Sequence, residues 1–168
     1  MITLRSIHPD EIEAAKILMD TVFQALWGLS YAEIQARYDP LEDIEHIQSY
    51  YFENGATFMV LADDEQIIGT GGFNRLDADT AELKRIFLMQ EYRGRGLGRR
   101  LVEILLAFAR TNGYRRVRLM VATPDLQPEA VGLYSRLGFR PLPTNPDNSK
   151  ELYMVLEFSR PALLENSN

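Results

Sequence analysis

The residues best suited to chemistry lie in one run, Arg93-Gly94-Arg95-Gly96-Leu97-Gly98. It follows a strand-like segment, Ala81 to Met89, and opens a helix, Leu97 to Thr111. A helix N-terminus carries backbone N–H groups without intrahelical partners, together with the positive end of the helix dipole. Glycines ahead of it let the main chain curl and approach a ligand closely, because no Cβ intervenes. The chemistry favoured here is the holding of a phosphate or pyrophosphate on backbone amides. A plain strand-to-helix turn would also use glycine, but three glycines at alternate positions among arginines favour the anion site. Arg93, Arg95, Arg99 and Arg100 add planar guanidinium forks suited to phosphate oxygens.

Two phosphate motifs are excluded by the residues that follow. A P-loop ends in Gly-Lys-Ser or Gly-Lys-Thr, whereas this run continues Gly98-Arg99-Arg100. The dinucleotide fingerprint needs a third glycine three residues after the second; the positions concerned hold Arg99 or Leu101. The spacing that remains, Arg-x-x-Gly-x-Gly over residues 93 to 98, resembles the pyrophosphate-binding motif of the GNAT superfamily of N-acetyltransferases. Glu82-Leu83-Lys84-Arg85-Ile86-Phe87-Leu88 resembles that family's fourth strand, and Gln90-Glu91-Tyr92 its lead into the loop. Leu133-Tyr134-Ser135-Arg136-Leu137-Gly138-Phe139 is similar to the family's late helix and its Leu-Tyr-x-x-Leu-Gly-Phe ending. The resemblance covers roughly residues 56 to 158; before it, only the order of a strand and then helices matches.

The resemblance implies acetyl transfer from acetyl-CoA to a primary amine by direct attack in a ternary complex. It implies that coenzyme A enters a gap where the fourth and fifth strands splay, with Arg93, Gly94, Arg95, Gly96, Leu97, Gly98 and Arg99 around its pyrophosphate. Phe87 and Leu88 would offer backbone groups to the pantetheine arm, which resembles an added strand. Gln127 stands where many members carry a cofactor-holding asparagine, a departure that its longer amide would have to bridge. Tyr134 aligns with the tyrosine that family members commonly place beside the coenzyme A sulfur, where a phenol would serve as acid to the departing thiolate; from helix spacing alone it reads as a core aromatic. Glu82 would be the general base, directly or through water. Equally, Glu82 reads as the ion-pair partner of Lys84, two residues along on the same strand face.

The elements that must position these residues follow an α/β order. Ile2 to Ile7 alternates as a strand, and Asp10 to Trp27 forms a helix with Ile12, Ala15, Leu18, Met19 and Val22 on one side. Asp39-Pro40-Leu41-Glu42 has the pattern of a helix start, with Asp39 as N-cap and proline in the first turn. That helix is expected to run to Phe52 and to bury Leu41, Ile44, Ile47 and Tyr51 before Asn54-Gly55 ends it. Strands follow at Thr57–Ala62, Gln66–Phe73, Thr80–Met89, Arg116–Val121 and Glu151–Phe158, with a helix over Pro128–Leu137. The expected fold is a mixed, strongly twisted sheet with helices on both faces.

Composition bounds the alternatives. At 168 residues the chain reads as a single domain. Its net charge of −6 argues against nucleic acid or an anionic membrane as partner. Yet residues 93 to 118 hold Arg93, Arg95, Arg99, Arg100, Arg110, Arg115, Arg116 and Arg118 against the single acid Glu103, a basic island fit for a compact polyanion. Absence of cysteine excludes disulfides and thiol catalysis, and the histidines, His8 and His46, give no metal set; no metal is expected. The start is too polar for a signal peptide, and the longest apolar run, Ile104 to Ala109, is far short of the ~20 residues of a membrane span. A cytoplasmic protein is expected, and a homodimer is compatible with all of this.

The acceptor is read from the region before the match. Trp27, Tyr31, Tyr38, Tyr50 and Tyr51 stand there among Asp39, Glu42, Asp43 and Glu45. Aromatics beside carboxylates suit a cationic small-molecule amine, although helix core plus solvated acids accounts for the same residues. The alternative function is a non-catalytic acyl-CoA-binding sensor sharing the same loop.

Overall fold

In the computed structural model, residues 1–143 and 150–159 are described. Strand β1 (Ile2–Ser6) is followed by a 3-10 turn at Pro9–Glu11 and helix α1 (Ile12–Trp27). Three short helices follow: α2 (Tyr31–Arg37), α3 (Glu42–Glu45) and α4 (Ile47–Tyr50). Strands β2 (Thr57–Asp63), β3 (Gln66–Arg75) and β4 (Thr80–Leu88) lead to α5 (Leu97–Thr111). The chain continues through β5 (Arg116–Ala122), α6 (Pro128–Arg136), the two-residue β6 (Arg140–Pro141) and β7 (Glu151–Glu157).

One sheet orders the strands β1-β2-β3-β4-β5-β7-β6. Every neighbouring pair is antiparallel except β4 and β5, which run parallel. Two adjacent glycines show how tightly it is covered. A Cβ at Gly71 would lie 3.1 Å from Leu101 and 3.2 Å from Leu105 of α5, whereas one at Gly72 would lie 2.8 Å from the Thr57 carbonyl oxygen and 3.1 Å from Tyr51. Successive residues of a strand point to opposite faces, so helical segments cover both. Helix α5 buries Leu101, Val102, Leu105, Leu106 and Ala109 in the core. On α1 the expected Ala15, Leu18, Met19 and Val22 are buried, with Phe23 beside them.

The helix expected from Asp39 to Phe52 is the main correction. Asp39 is not its N-cap: Leu41, with φ 53°, precedes α3, and the backbone breaks at His46 (φ −134°, ψ 47°) before α4. Leu41, Ile44, Ile47 and Tyr51 are nevertheless all buried. The break has a tertiary cause. Asp39 and Asp43 are drawn onto Arg85 of β4, which fixes the first turn independently of helix propensity. Helix α2 is an element beyond those expected, and Ser30 and Glu33 form a capping box at its start.

Near the N-terminus, Arg5 holds Glu11 through two hydrogen bonds of 2.6 and 2.8 Å. The Arg5 guanidinium, with help from the His8 N–H and against the desolvation of partial burial, lowers the Glu11 carboxyl to about 2. A depressed carboxylate contributes stability that is complete above its unfolded value of about 4.3 and is lost as pH falls towards 2. Glu11→Gln is therefore expected to melt below the wild type at pH 7, and the gap to close between about pH 4 and 2. Thermal unfolding across that range checks it; a gap independent of pH would show that the ion pair contributes nothing.

Candidate active site

The gap between β4 and β5 organises the site. The two strands pair only at Thr80–Arg116, Ala81–Val117 and Glu82–Arg118, and then part. Beyond Glu82, β4 stays on β3 while β5 stays on β7. The turn of β4 away from β5 coincides with a bulge: its register with β3 shifts between Thr70 and Gly72, opposite Lys84 to Phe87. Arg85, with φ 58°, is the unusual residue of that bulge, and the Thr70 hydroxyl donates to its carbonyl at 2.9 Å.

Leu88 and Phe87 reach the gap differently. The Met89 N–H donates to the Ile68 carbonyl at 2.9 Å, which sets the alternation of the antiparallel ladder. It directs Phe87's backbone groups to Thr70 of β3 and Leu88's towards the gap. The expectation that both residues offer main chain therefore narrows to Leu88. Phe87 contributes a side chain instead, meeting Phe23 of α1 edge-on at 5.4 Å between centroids.

At the end of β4 stands the glycine loop. Gly94 and Gly96 both have φ 76°, a left-handed backbone that suits glycine. Among the described residues, the N–H groups of Gly94, Arg95, Gly96, Leu97, Gly98 and Arg99 donate to no protein acceptor. The loop is braced from outside: Arg93 Nε donates to the Leu88 carbonyl at 3.1 Å, and Arg95 donates to the Glu91 carbonyl at 3.1 Å. Arg99 is in an exposed ion pair with Glu103 at 2.9 Å. A methyl group at Gly98 would lie 3.9 Å from Leu133 of α6 and 4.0 Å from Leu88, so β4, α5 and α6 converge here.

Helix α6 carries Tyr134 one residue after the Leu133 that lies next to Gly98. The side chain is buried, meets Phe139 at 5.8 Å between centroids, and has its phenol pushed well above the usual range by burial. It is protonated throughout the neutral range, as a proton or hydrogen-bond donor must be. The amide nitrogen of Gln127 donates to the Ala122 carbonyl. It thereby holds the turn between β5 and α6. Trp27 Nε1 donates to Thr123 Oγ1 at 2.8 Å and ties the end of α1 to that same turn.

Glu82 opens onto a separate cavity of about 370 Å³, lined by Asp39, Glu42, Asp43, Tyr50, Glu82, Lys84 and Met120 among others. The volume is that of a small-molecule pocket. The Glu82–Lys84 ion pair is not formed. Lys84 instead donates to the Tyr50 hydroxyl at 3.1 Å, with its ammonium 5.1 Å from that ring's centroid. Arg85 closes the floor: it donates to Asp43 at 2.7 and 3.0 Å and to Asp39 at 2.8 Å, and Tyr51 donates to Asp43 as well. Burial would raise both carboxyls, but Arg85 overrides it and holds them below the usual range. Arg85 is the site residue that sequence reasoning missed, and Asp43, named there as one of the acceptor-side acids, is its buried partner. A charged residue in mid-strand and an acid in an otherwise apolar helix face were the only signals. His46 and Glu42, 3.5 Å apart and both exposed, form a surface pair.

A splayed parallel pair, a loop of free amides at its end and a buried tyrosine beside it form one constellation. Residues 19–139 match the model of the Acetyltransferase (GNAT) family. The chain is similar to human N-acetyltransferase 8B, with 36% identity over 131 residues, which is 71% of this chain and 56% of that protein. It is also similar to the uncharacterized N-acetyltransferase YjgM of Escherichia coli K12, with 28% identity and 68% of each chain covered. For human N-acetyltransferase 8 the share covered is 58%, so the chain spans just over half the length of these human relatives. Among solved structures, a GNAT-family acetyltransferase from Staphylococcus aureus Mu50 superposes with TM-score 0.79 at 20% identity, covering 94% of this chain and 99% of the other. The PaiA N-acetyltransferase of Thermoplasma acidophilum, solved in complex with coenzyme A, gives 0.76 at 19% identity, with 94% and 99% covered. These matches, over most of the chain and across the constellation just described, show that it belongs to the GNAT family of acetyltransferases.

Proposed function

We propose that this chain transfers the acetyl group of acetyl-CoA to a primary amine of a small molecule or amino compound, by direct attack in a ternary complex. The observation that carries the reading is the row of free N–H groups from Gly94 to Arg99 at the end of a parting strand pair. Six donors curled at a helix N-terminus, with Arg93, Arg95 and Arg99 around them, fit a pyrophosphate. Leu88's main chain fits the extended arm that leads inward, and Gln127, at the start of α6, is a second contact for it. Bound there, acetyl-CoA supplies an activated acetyl thioester.

The residues of the chain then have separable tasks. An alkylamine with a pKa near ~10.4 is almost wholly protonated at pH 7. Glu82 takes one proton from it, directly or through water, and exposes the nitrogen lone pair. As the N–C bond forms and the C–S bond breaks, Tyr134 donates to the departing sulfur. The ammonium loses two protons in all: one ends on the thiol and one reaches solvent. No covalent intermediate on the protein is needed, in keeping with a chain that has no cysteine.

Mixing the protein with acetyl-CoA and an amine panel is expected to release coenzyme A, read as free thiol. Tyr134→Phe is expected to lower kcat roughly 100-fold while acetyl-CoA still binds. Tight binding without turnover for any amine would establish the sensor alternative instead. Wild-type turnover in the phenylalanine variant would remove the tyrosine from the chemistry.

A further inference from the structure

The cavity beside Glu82 holds two opposite charges that do not meet. Glu82 and Lys84 are two residues apart on one face of β4, about 6.6 Å between their Cα atoms at the usual strand rise. They form no ion pair. Among the described residues Glu82 accepts no side-chain hydrogen bond, and Lys84 spends one of its three donors on Tyr50. The ring of Tyr50 holds the lysine ammonium on its side of the cavity. Asp39 and Asp43 do not claim it either, since both are committed to Arg85. Among the described residues, that leaves two lysine N–H donors without a protein acceptor at the cavity wall.

From this we infer that the acceptor is a zwitterion of the amino-acid class, with its amine on Glu82 and its carboxylate on Lys84. The inference rests on the transferase reading above and deepens it. An amino acid, whose ammonium and carboxylate share one carbon, offers Glu82 a donor and Lys84 an acceptor at the same time. A simple cationic amine would satisfy Glu82 but give the lysine ammonium no anionic partner. A carboxylate there completes the donors of Lys84 in a partly desolvated pocket, where hydrogen bonds between charged groups count most. The carboxylate anchor also sets the amine's distance and direction from Glu82, so it acts on positioning as well as affinity.

The test uses the intact chain with acetyl-CoA and matched trios: an amino acid, its carboxamide and its decarboxylated amine. The trios span small, acidic, basic and aromatic side chains. Free amino acids are expected to lead in kcat/KM by roughly 10- to 100-fold for at least one trio, the range of a charge-assisted hydrogen bond. Lys84→Ala is expected to collapse that ratio towards one, chiefly through KM, and Lys84→Glu to invert it in favour of the decarboxylated amine. Both variants are first required to keep the wild-type melting shift with coenzyme A, which shows the fold and loop intact. Calorimetry on the coenzyme A complex gives a readout independent of turnover: the preferred amino acid is expected to bind the wild type and to weaken in Lys84→Ala. Carboxamides or amines used as well as the acids, or a ratio unchanged in Lys84→Ala, would overturn the inference and leave the transferase reading standing. Acetyl-CoA binding with no thiol released from any trio would sink the transferase reading, and this inference with it.

Discussion

Gly96→Val is expected to abolish acetyl-CoA binding while leaving a folded protein. Gly96 has φ 76° and caps α5, and a Cβ built there meets no protein atom within 4 Å. The Cβ of the new side chain therefore enters open space. The cost to the fold is confined to the backbone, roughly 1–2 kcal/mol for a left-handed conformation and somewhat more for a β-branched residue. The open space matters for the opposite reason. It is the space from which a pyrophosphate would approach the N–H groups of Gly94 to Arg99, and a branched side chain stands in its path. A loss of at least about 1000-fold in affinity is expected, on the order of 4 kcal/mol. Isothermal calorimetry measures it directly. Gly96→Ala separates the two effects, because it shares most of the backbone cost and adds far less bulk. Wild-type affinity in the valine variant would mean that the loop is not where the ligand sits.

The second large effect is expected at Arg85→Ala. Asp43 is 2% exposed and relies on two bonds from Arg85 and one from Tyr51. Removing the guanidinium strands a buried carboxylate, a change that typically costs 3–5 kcal/mol. At roughly 2–4 °C per kcal/mol for a chain of this size, the melting temperature should fall by on the order of 10 °C. Arg85→Lys should recover little, since an ammonium cannot reach Asp39 and both oxygens of Asp43 as a planar fork does. The functional consequence should be selective. The Arg85 cluster places α3 against β4 and so shapes the acceptor cavity, whereas the glycine loop follows the end of the strand and contributes none of the cavity's lining residues. The KM for the amine should therefore rise while the calorimetric affinity for acetyl-CoA stays near wild type. Equal loss of both would show that the cluster supports the whole sheet and has no particular link to the cavity.

These two residues differ in how visible they were beforehand. Gly96 announced itself through spacing, because a glycine-rich turn between strand and helix is a local pattern. Arg85 lay unnoticed within a strand, because its role depends on Asp39 and Asp43, 46 and 42 residues earlier in the chain. The same contrast holds for Glu82 and Lys84. Their shared strand face was legible, and an ion pair followed as one of two readings. The tertiary structure instead gives Lys84 to Tyr50, 34 residues away, and leaves Glu82 facing the cavity.

The amino-acid sequence by itself determined the order of strands and long helices, the apolar stripe of α5, and the loop from Arg93 to Gly98. Each rests on interactions between near neighbours along the chain: periodicity, capping and backbone preference. The parting of β4 from β5 beyond Glu82, the kink at His46, the Trp27 bond to Thr123 and the fate of each charge in the cavity were decided only by tertiary structure. They depend on which distant side chains are brought together when the sheet closes, and there one buried ion cluster outweighs the modest preferences of a short helix.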